Sequence, residues 1–175
     1  MALIGAKKYW ILGVITPVII ASDQFTKAVV VERFRLAESL PVVDGFFNLT
    51  YIRNTGAAFG FLAGADPAFR VPFFLIVPVL ALLAIGSIFR KISPDDRIMS
   101  VALSLVIGGA IGNLIDRVQI GYVIDFLLFH WKSEYYFPAF NVADSAICVG
   151  VGMMILDMLL KGKESEAQSH VSGPA

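Results

Sequence analysis

Long apolar runs separated by polar stretches organise this chain. Four runs are long enough to cross about 30 Å of hydrocarbon as helices. The first, 9–31, is uncharged until Asp23, and the second, 71–89, is uncharged throughout, with Pro72 in its first turn and Pro78 as an expected kink. The third, 98–118, is uncharged until Asp116, and the fourth, 139–160, carries Asp144 near its start and Asp157 near its end. Two long connections, 32–70 and 119–138, alternate with a short charged turn, and residues 162–175 read as a disordered polar tail.

Inside the long connections the pattern changes. Asp44-Gly45 is a turn signal, and FFNLTYIR (46–53) has strand composition. In GYVIDFLLFHW (121–131) a strand would place Val123, Asp125, Leu127, Phe129 and Trp131 on one face, with Tyr122, Ile124, Phe126, Leu128 and His130 on the other. Tyr135, Tyr136 and Phe137 suit a membrane–water boundary. The expected site therefore has a helical wall and an extended one.

Composition strengthens the membrane reading. Apolar residues make up 57% of the 175 residues, charged ones 16%, and mean hydropathy is +0.76. The fold class is a single membrane domain over 1–161, mainly α. Formal net charge is zero, which removes the electrostatic case for a nucleic-acid partner. The single cysteine, Cys148, rules out an intramolecular disulfide and reads as a small residue of an apolar helix. Lys7 and Lys8 before the first run imitate a secretory signal, yet no small-residue cleavage site follows, so the run is read as a retained helix.

Basic residues set the expected orientation. Seven (Lys7, Lys8, Arg90, Lys91, Arg97, Lys161 and Lys163) crowd the helix ends on one side; five (Arg33, Arg35, Arg53, Arg70 and Lys132) lie in the long connections on the other. The positive-inside rule then puts both termini in the cytoplasm. On that basis Asp23 lies about 21 Å up the first helix at 1.5 Å per residue, with Lys27 one turn further on the same face. The third helix brings Asn113, Asp116 and Arg117 to its outer end, and the fourth begins there with Asn141 and Asp144. Asp125 joins this outer layer from an extended segment that offers it no local partner. Asp157 falls instead at the cytoplasmic interface.

A stripe of small residues, Ser104, Gly108 and Gly112, is expected to let the third helix approach the fourth and bring Asn113 and Arg117 to it. Plainer readings stay open for individual residues. Asp23 and Lys27 could be a helix-surface pair, Arg117 could reach toward lipid phosphates, and Asp116 could cap or pair locally. Asn141 or Asp144 could be a helix cap, and His130 a boundary residue. Together, carboxylates in a partly dry site suggest hydrolysis. Two can share one proton, so that the ionised one takes a proton from water while the other polarises a carbonyl. Only His130 and His170 are present, so no metal-ligand set is expected, and no base stands beside a candidate serine.

The residues that carry this reading also carry a resemblance. SDQFTK (22–27), YIRNTGAAFGFL (51–62), GGAIGNLIDR (108–117), GYVIDFLLFHW (121–131) and FPAFNVADSAI (137–147), in that order, resemble the bacterial lipoprotein signal peptidase, or type II signal peptidase. The resemblance implies an aspartic endopeptidase of the bacterial inner membrane, without a cofactor, that acts near the periplasmic face. It would remove the signal peptide of a prolipoprotein just before a cysteine bearing diacylglyceryl, so its partners would be such precursors and membrane lipids. Asp125 and Asp144 match the catalytic pair. Asn54, Asn113, Arg117 and Asn141 match polar site positions, and Asp23 and Lys27 match the first-helix motif. The implied fold is four transmembrane helices with a small extracytoplasmic β-cradle and a short amphipathic helix.

A rival from another class is a small proton-coupled membrane carrier, since carboxylates at one depth also suit ion movement. Against it, the charges gather on one side and the inner halves of the four runs offer almost nothing polar.

Overall fold

A computed structural model describes residues 2–56, 61–132 and 134–171. The element order is α1 (Ala2–Arg33), β1 (Ser39–Val43), β2 (Phe47–Asn54), α2 (Pro67–Lys91), α3 (Arg97–Ile120), β3 (Val123–Trp131), β4 (Tyr135–Tyr136) and α4 (Val142–Val171). All four helices are long and apolar enough to cross a membrane. Among the described residues the two long connections hold the strands and turns but no separate short helix; part of the first, 57–60, lies outside the described residues.

Local chemistry sets the helix ends. Asp66 starts α2 by accepting the Ala68 N–H at 2.7 Å, with Pro67 at the first helical position where no donor is needed. Asp96 starts α3 by accepting the Met99 N–H at 3.0 Å. Gly121 ends it in the left-handed conformation, φ 80°, with its N–H on the Arg117 carbonyl at 3.2 Å. Where the composition of the tail predicts irregular chain, α4 runs on to Val171; the segment KGKESEAQ is rich in good helix formers that let the last turns continue.

α3 is the axis of the bundle and its most buried helix. α1 and α4 pack closely along it, and α2 leans on it from another side. The small-residue stripe works differently from expectation. Gly108 faces Ile19 and Thr16 of α1, and Gly112 faces the Asp23 carboxylate. Thr16 Oγ1 also donates to the Ser104 carbonyl at 3.0 Å. The stripe therefore admits mainly α1, and only Gly112 also meets α4, at Ala143. The α3–α4 contact uses Gly109, against Ala143 and Ile147, and Gly150, against Ala102 and Val106. Ser104, Gly108 and Gly112 recur every four residues, which selects one face, and Gly109 lies about 100° round from it.

At one end of the bundle two lysines close the structure. Lys8, only 4% exposed, donates to the carbonyls of Phe89, Arg90 and Ile92 at 2.9–3.1 Å, so a cation from α1 caps the C-terminus of α2. Lys161 bridges Asp96 and Asp157 at 2.7 and 2.6 Å. Asp157 is thus a buried partner of that lysine rather than a free interfacial acid.

The opposite end carries a four-stranded antiparallel sheet in the order β1-β2-β3-β4. The predicted turn at Asp44-Gly45 joins β1 to β2, with Gly45 at φ 72°. Val30 of α1 packs with Tyr51, Ile124 and Phe126 of the sheet, which fixes the sheet to the bundle. Among the described residues one edge of β1 is unpaired, and its backbone needs water, so the sheet belongs beyond the hydrocarbon. Trp131, Tyr135, Tyr136 and Phe137 are all more than half exposed around it, as an interfacial rim would be.

A Cβ at Gly109 would run into the Ala143 carbonyl, so Gly109→Val should force α3 and α4 apart at a cost of about 1–3 kcal/mol or more. Gly13→Ala and Gly86→Ala, which meet nothing within 4 Å, should leave the melting temperature in detergent unchanged. Equal melting temperatures for all three variants would contradict this packing.

Candidate active site

Asp125 and Asp144 arrive from different elements. Asp125 sits on β3 opposite Ile52 of β2, and is 2% exposed. Asp144 is in the first turn of α4 and only part-buried. Asn141, fully buried, ties them together. Its amide donates to Asp125 Oδ1 at 2.8 Å. Its backbone N–H donates to Asp144 Oδ2 at 3.3 Å, while its own Oδ1 accepts the Asp144 N–H at 2.9 Å. That reciprocal pair is a capping box, so the start of α4 orients the Asp144 carboxylate. Asn141 is a cap and a bridge at once.

The remaining oxygens of both acids are also partnered. Asn54 Nδ2 donates to Asp125 Oδ2 at 3.0 Å, and Asn113 Nδ2 donates to Asp144 Oδ1 at 2.7 Å. Asn113 Oδ1 in turn accepts from Lys27 Nζ at 2.9 Å and from Asn141 Nδ2 at 3.2 Å. Lys27, 2% exposed, pairs with Asp23 at 2.8 Å and with Asp116 at 2.9 Å. The side chains of Asp23, Lys27, Asn54, Asn113, Asp116, Asp125, Asn141 and Asp144 thus join one hydrogen-bonded network. The surface-pair reading of Asp23 and Lys27 does not hold, because both are buried.

Arg117 behaves differently. Its guanidinium donates to the Gly56 carbonyl at 3.0 Å and to the Asn113 carbonyl at 3.3 Å, and lies 5.1 Å from the centre of the Phe74 ring. It touches neither carboxylate and does not extend toward lipid; it pins the first connection to α3. Asp116, expected to pair locally, has its partners on α1 and β3. Gln24 was not singled out at all, yet its Nε2 reaches Asp116 at 2.8 Å and Asp23 at 3.2 Å. Its place one residue after Asp23 was the available signal. His130 is buried away from the pair, with Nε2 3.0 Å from Asn48 Oδ1 and its ring stacked on Tyr136.

Burial first, and the neighbouring Asp144 second, push the Asp125 carboxyl up from 3.8 to about 7, against the pull of the Asn54 and Asn141 amides. Near neutrality the buried Asp125 carboxyl therefore holds its proton more tightly than an exposed aspartate would. Among the described residues no cluster of His, Cys, Asp and Glu could hold a metal ion.

Over residues 15–160 the chain matches the family described as Signal peptidase (SPase) II. The chain belongs to the signal peptidase II family. Membership makes it a peptidase, and similar proteins match over comparable or greater lengths. The lipoprotein signal peptidase of Syntrophotalea carbinolica is 50% identical over 160 residues, covering 91% of this chain and 98% of that protein. The lipoprotein signal peptidase of Geobacter metallireducens is 52% identical over 151 residues, covering 86% and 91%. A bacterial membrane enzyme structure determined by the in meso method at 2.3 Å resolution superposes with a TM-score of 0.78 at 35% identity, covering 87% of this chain and 90% of that one. Signal peptidase II membership, four membrane-capable helices and a small sheet describe a multi-pass membrane protease.

The raised Asp125 value has a measurable sign. The folded state holds this proton more tightly than the unfolded one, so its stabilising effect is full below pH 3.8 and is lost as pH rises through about 7. The wild-type melting temperature should therefore fall relative to that of Asp125→Asn between pH 5 and pH 8. A constant difference across that range would contradict the assignment.

Proposed function

We propose that this peptidase is an aspartic endopeptidase that removes the signal peptide from diacylglyceryl-modified prolipoproteins. The observation that carries the reading is Asn141 bonding to both Asp125 and Asp144, which supports their acting on one water. The family's named relatives are lipoprotein signal peptidases, which supports the substrate class.

In this mechanism one carboxylate is ionised and the other protonated. The ionised one takes a proton from a water held between them, and the water oxygen attacks the scissile carbonyl. The protonated one hydrogen-bonds to the carbonyl oxygen as it gains charge. The resulting gem-diol collapses when a proton passes to the leaving nitrogen, breaking the C–N bond before the lipidated cysteine. No covalent bond to the enzyme forms. Asn54, Asn113 and Asn141 orient the two acids, Lys27 and Asp23 anchor the network, and Arg117 holds the connection over the site.

A signal peptide is itself an apolar helix, and its carbonyls are occupied until it unwinds. α2 and α4 both pack on α3 without substantial packing on each other, which favours entry from lipid between them. The scissile segment would then lie extended along the sheet, with the diacylglyceryl chains left on the lipid side. Both termini would lie in the cytoplasm and the site near the periplasmic face of the inner membrane. That orientation agrees with Lys8, Arg90, Arg97 and Lys161 sharing one end of the bundle.

Among the described residues no chain of polar side chains leads from the site across the bundle to support the carrier alternative. In the inner half the hydroxyls of Thr16, Ser104 and Ser100 each donate to a backbone carbonyl, not to one another.

Asp125→Asn and Asp144→Asn should each lower turnover of a diacylglyceryl-modified precursor by about 10³-fold or more, with precursor binding retained. Retained turnover in either variant would refute the dyad. Wild type should cleave the modified precursor and leave its unmodified counterpart intact; equal cleavage would refute the lipid requirement.

A further inference from the structure

Asp116 has no part in the dyad just described, yet it is 4% exposed and fully engaged. Its Oδ2 accepts the backbone N–H of Ile124 at 3.1 Å and pairs with Lys27 at 2.9 Å. Its Oδ1 accepts from Gln24 at 2.8 Å. Asp23 repeats the arrangement on the other side of the same lysine. Asp23 Oδ2 pairs with Lys27 at 2.8 Å, and Oδ1 accepts the backbone N–H of Ala143 at 2.9 Å. Ile124 immediately precedes Asp125, and Ala143 immediately precedes Asp144.

We infer that Asp23, Lys27 and Asp116 form a clamp that sets the spacing of the two active carboxylates, with Asp116 the positioning residue for Asp125. The inference rests on the dyad reading above. A dyad built from a strand and a helix has no covalent ruler. Each limb must be held against a common reference to within a fraction of an ångström if one water is to meet both acids. Lys27 is that reference: buried on the rigid α1, it holds an oxygen of each aspartate, and each aspartate uses its other lone pairs on the residue before a dyad aspartate. Ile124 is held twice, because its carbonyl also accepts from Asn141 at 3.3 Å. Gly112 makes the clamp possible, since a Cβ there would lie 2.7 Å from Asp23 Oδ2.

The clamp predicts a specific order among variants. Asp116→Ala removes the acceptor for Ile124 and should lower kcat about 30-fold or more, with KM for the modified precursor within about threefold. Asp116→Asn keeps an acceptor of the same length, so it should restore kcat to within about fivefold of wild type. A hydroxyethylene isostere of the precursor, whose hydroxyl replaces the water, should lose affinity for Asp116→Ala in step with kcat, while an uncleavable ground-state analogue should not. A merely structural role would lower the folded fraction without separating the two ligands. If Asp116→Ala does not fold, Asp116→Ser, whose hydroxyl falls short of Ile124, takes its place in the same comparison. Wild-type kcat in folded Asp116→Ala or Asp116→Ser, or equal damage in Asp116→Asn and Asp116→Ala, would overturn the clamp. Asp125→Asn is measured alongside: activity there would remove the dyad reading itself, whereas an inactive Asp125→Asn beside an unaffected Asp116→Ala would remove only the clamp.

Discussion

A lysine ammonium withdrawn from water between apolar helices must be neutralised and hydrogen-bonded, or it loses its charge. Lys27 meets that requirement with Asp23, Asp116 and the side-chain oxygen of Asn113. The consequence reaches across the fold, because those three partners come from α1 and α3 and carry further bonds to β3 and α4. Satisfying one buried cation thereby joins four elements at one level. Breaking a single arm would leave a buried charge short of a partner, a larger penalty than the loss of one hydrogen bond.

The same network explains how a protein of this size can keep two acids close together. Two anions side by side repel, and burial penalises both. Here every carboxylate oxygen of Asp125 and Asp144 accepts from an asparagine, either a side-chain amide or the Asn141 backbone. Asparagine amides stabilise an anion without adding a full positive charge beside the two acids. Arg117, the available cation, is directed instead to the Gly56 carbonyl. The acids are held by dipoles, and the full charges stand one layer back.

Much of this was legible in the sequence, for definite reasons. Length and apolarity reveal spans directly, so the four helices were expected, although α1 begins earlier than its apolar run and α4 extends well beyond its own. Asp125 stood out because an acid amid V-I-D-F-L-L-F has no local excuse. The depth argument placed Asp23, Lys27, Asn113, Asn141 and Asp144 at one level, and they do meet. What it could not supply was direction round each helix. Hence the stripe of Ser104, Gly108 and Gly112, expected to meet α4, faces mainly α1 and meets α4 only at Gly112, since small residues say only that something approaches. Asp116, expected to cap or pair locally, instead finds partners distant in sequence, and apart from its place beside Asp23 nothing in the local pattern marks Gln24 as one of them. β1, fully exposed, and β4, two residues long, bury too little to leave a pattern. The burial of Lys8 was hidden because a lysine before an apolar run reads as a topology signal, and its role as a cap for α2 depends on tertiary contact alone.

The account stands on both carboxylates addressing a single oxygen, and a structure of the enzyme with a hydroxyethylene isostere of a lipidated precursor tests that directly. The expected result is one hydroxyl within about 2.6–3.2 Å of an oxygen from Asp125 and an oxygen from Asp144. A hydroxyl that contacts only one of them, with the other turned away or out of reach, would contradict the hydrolytic mechanism.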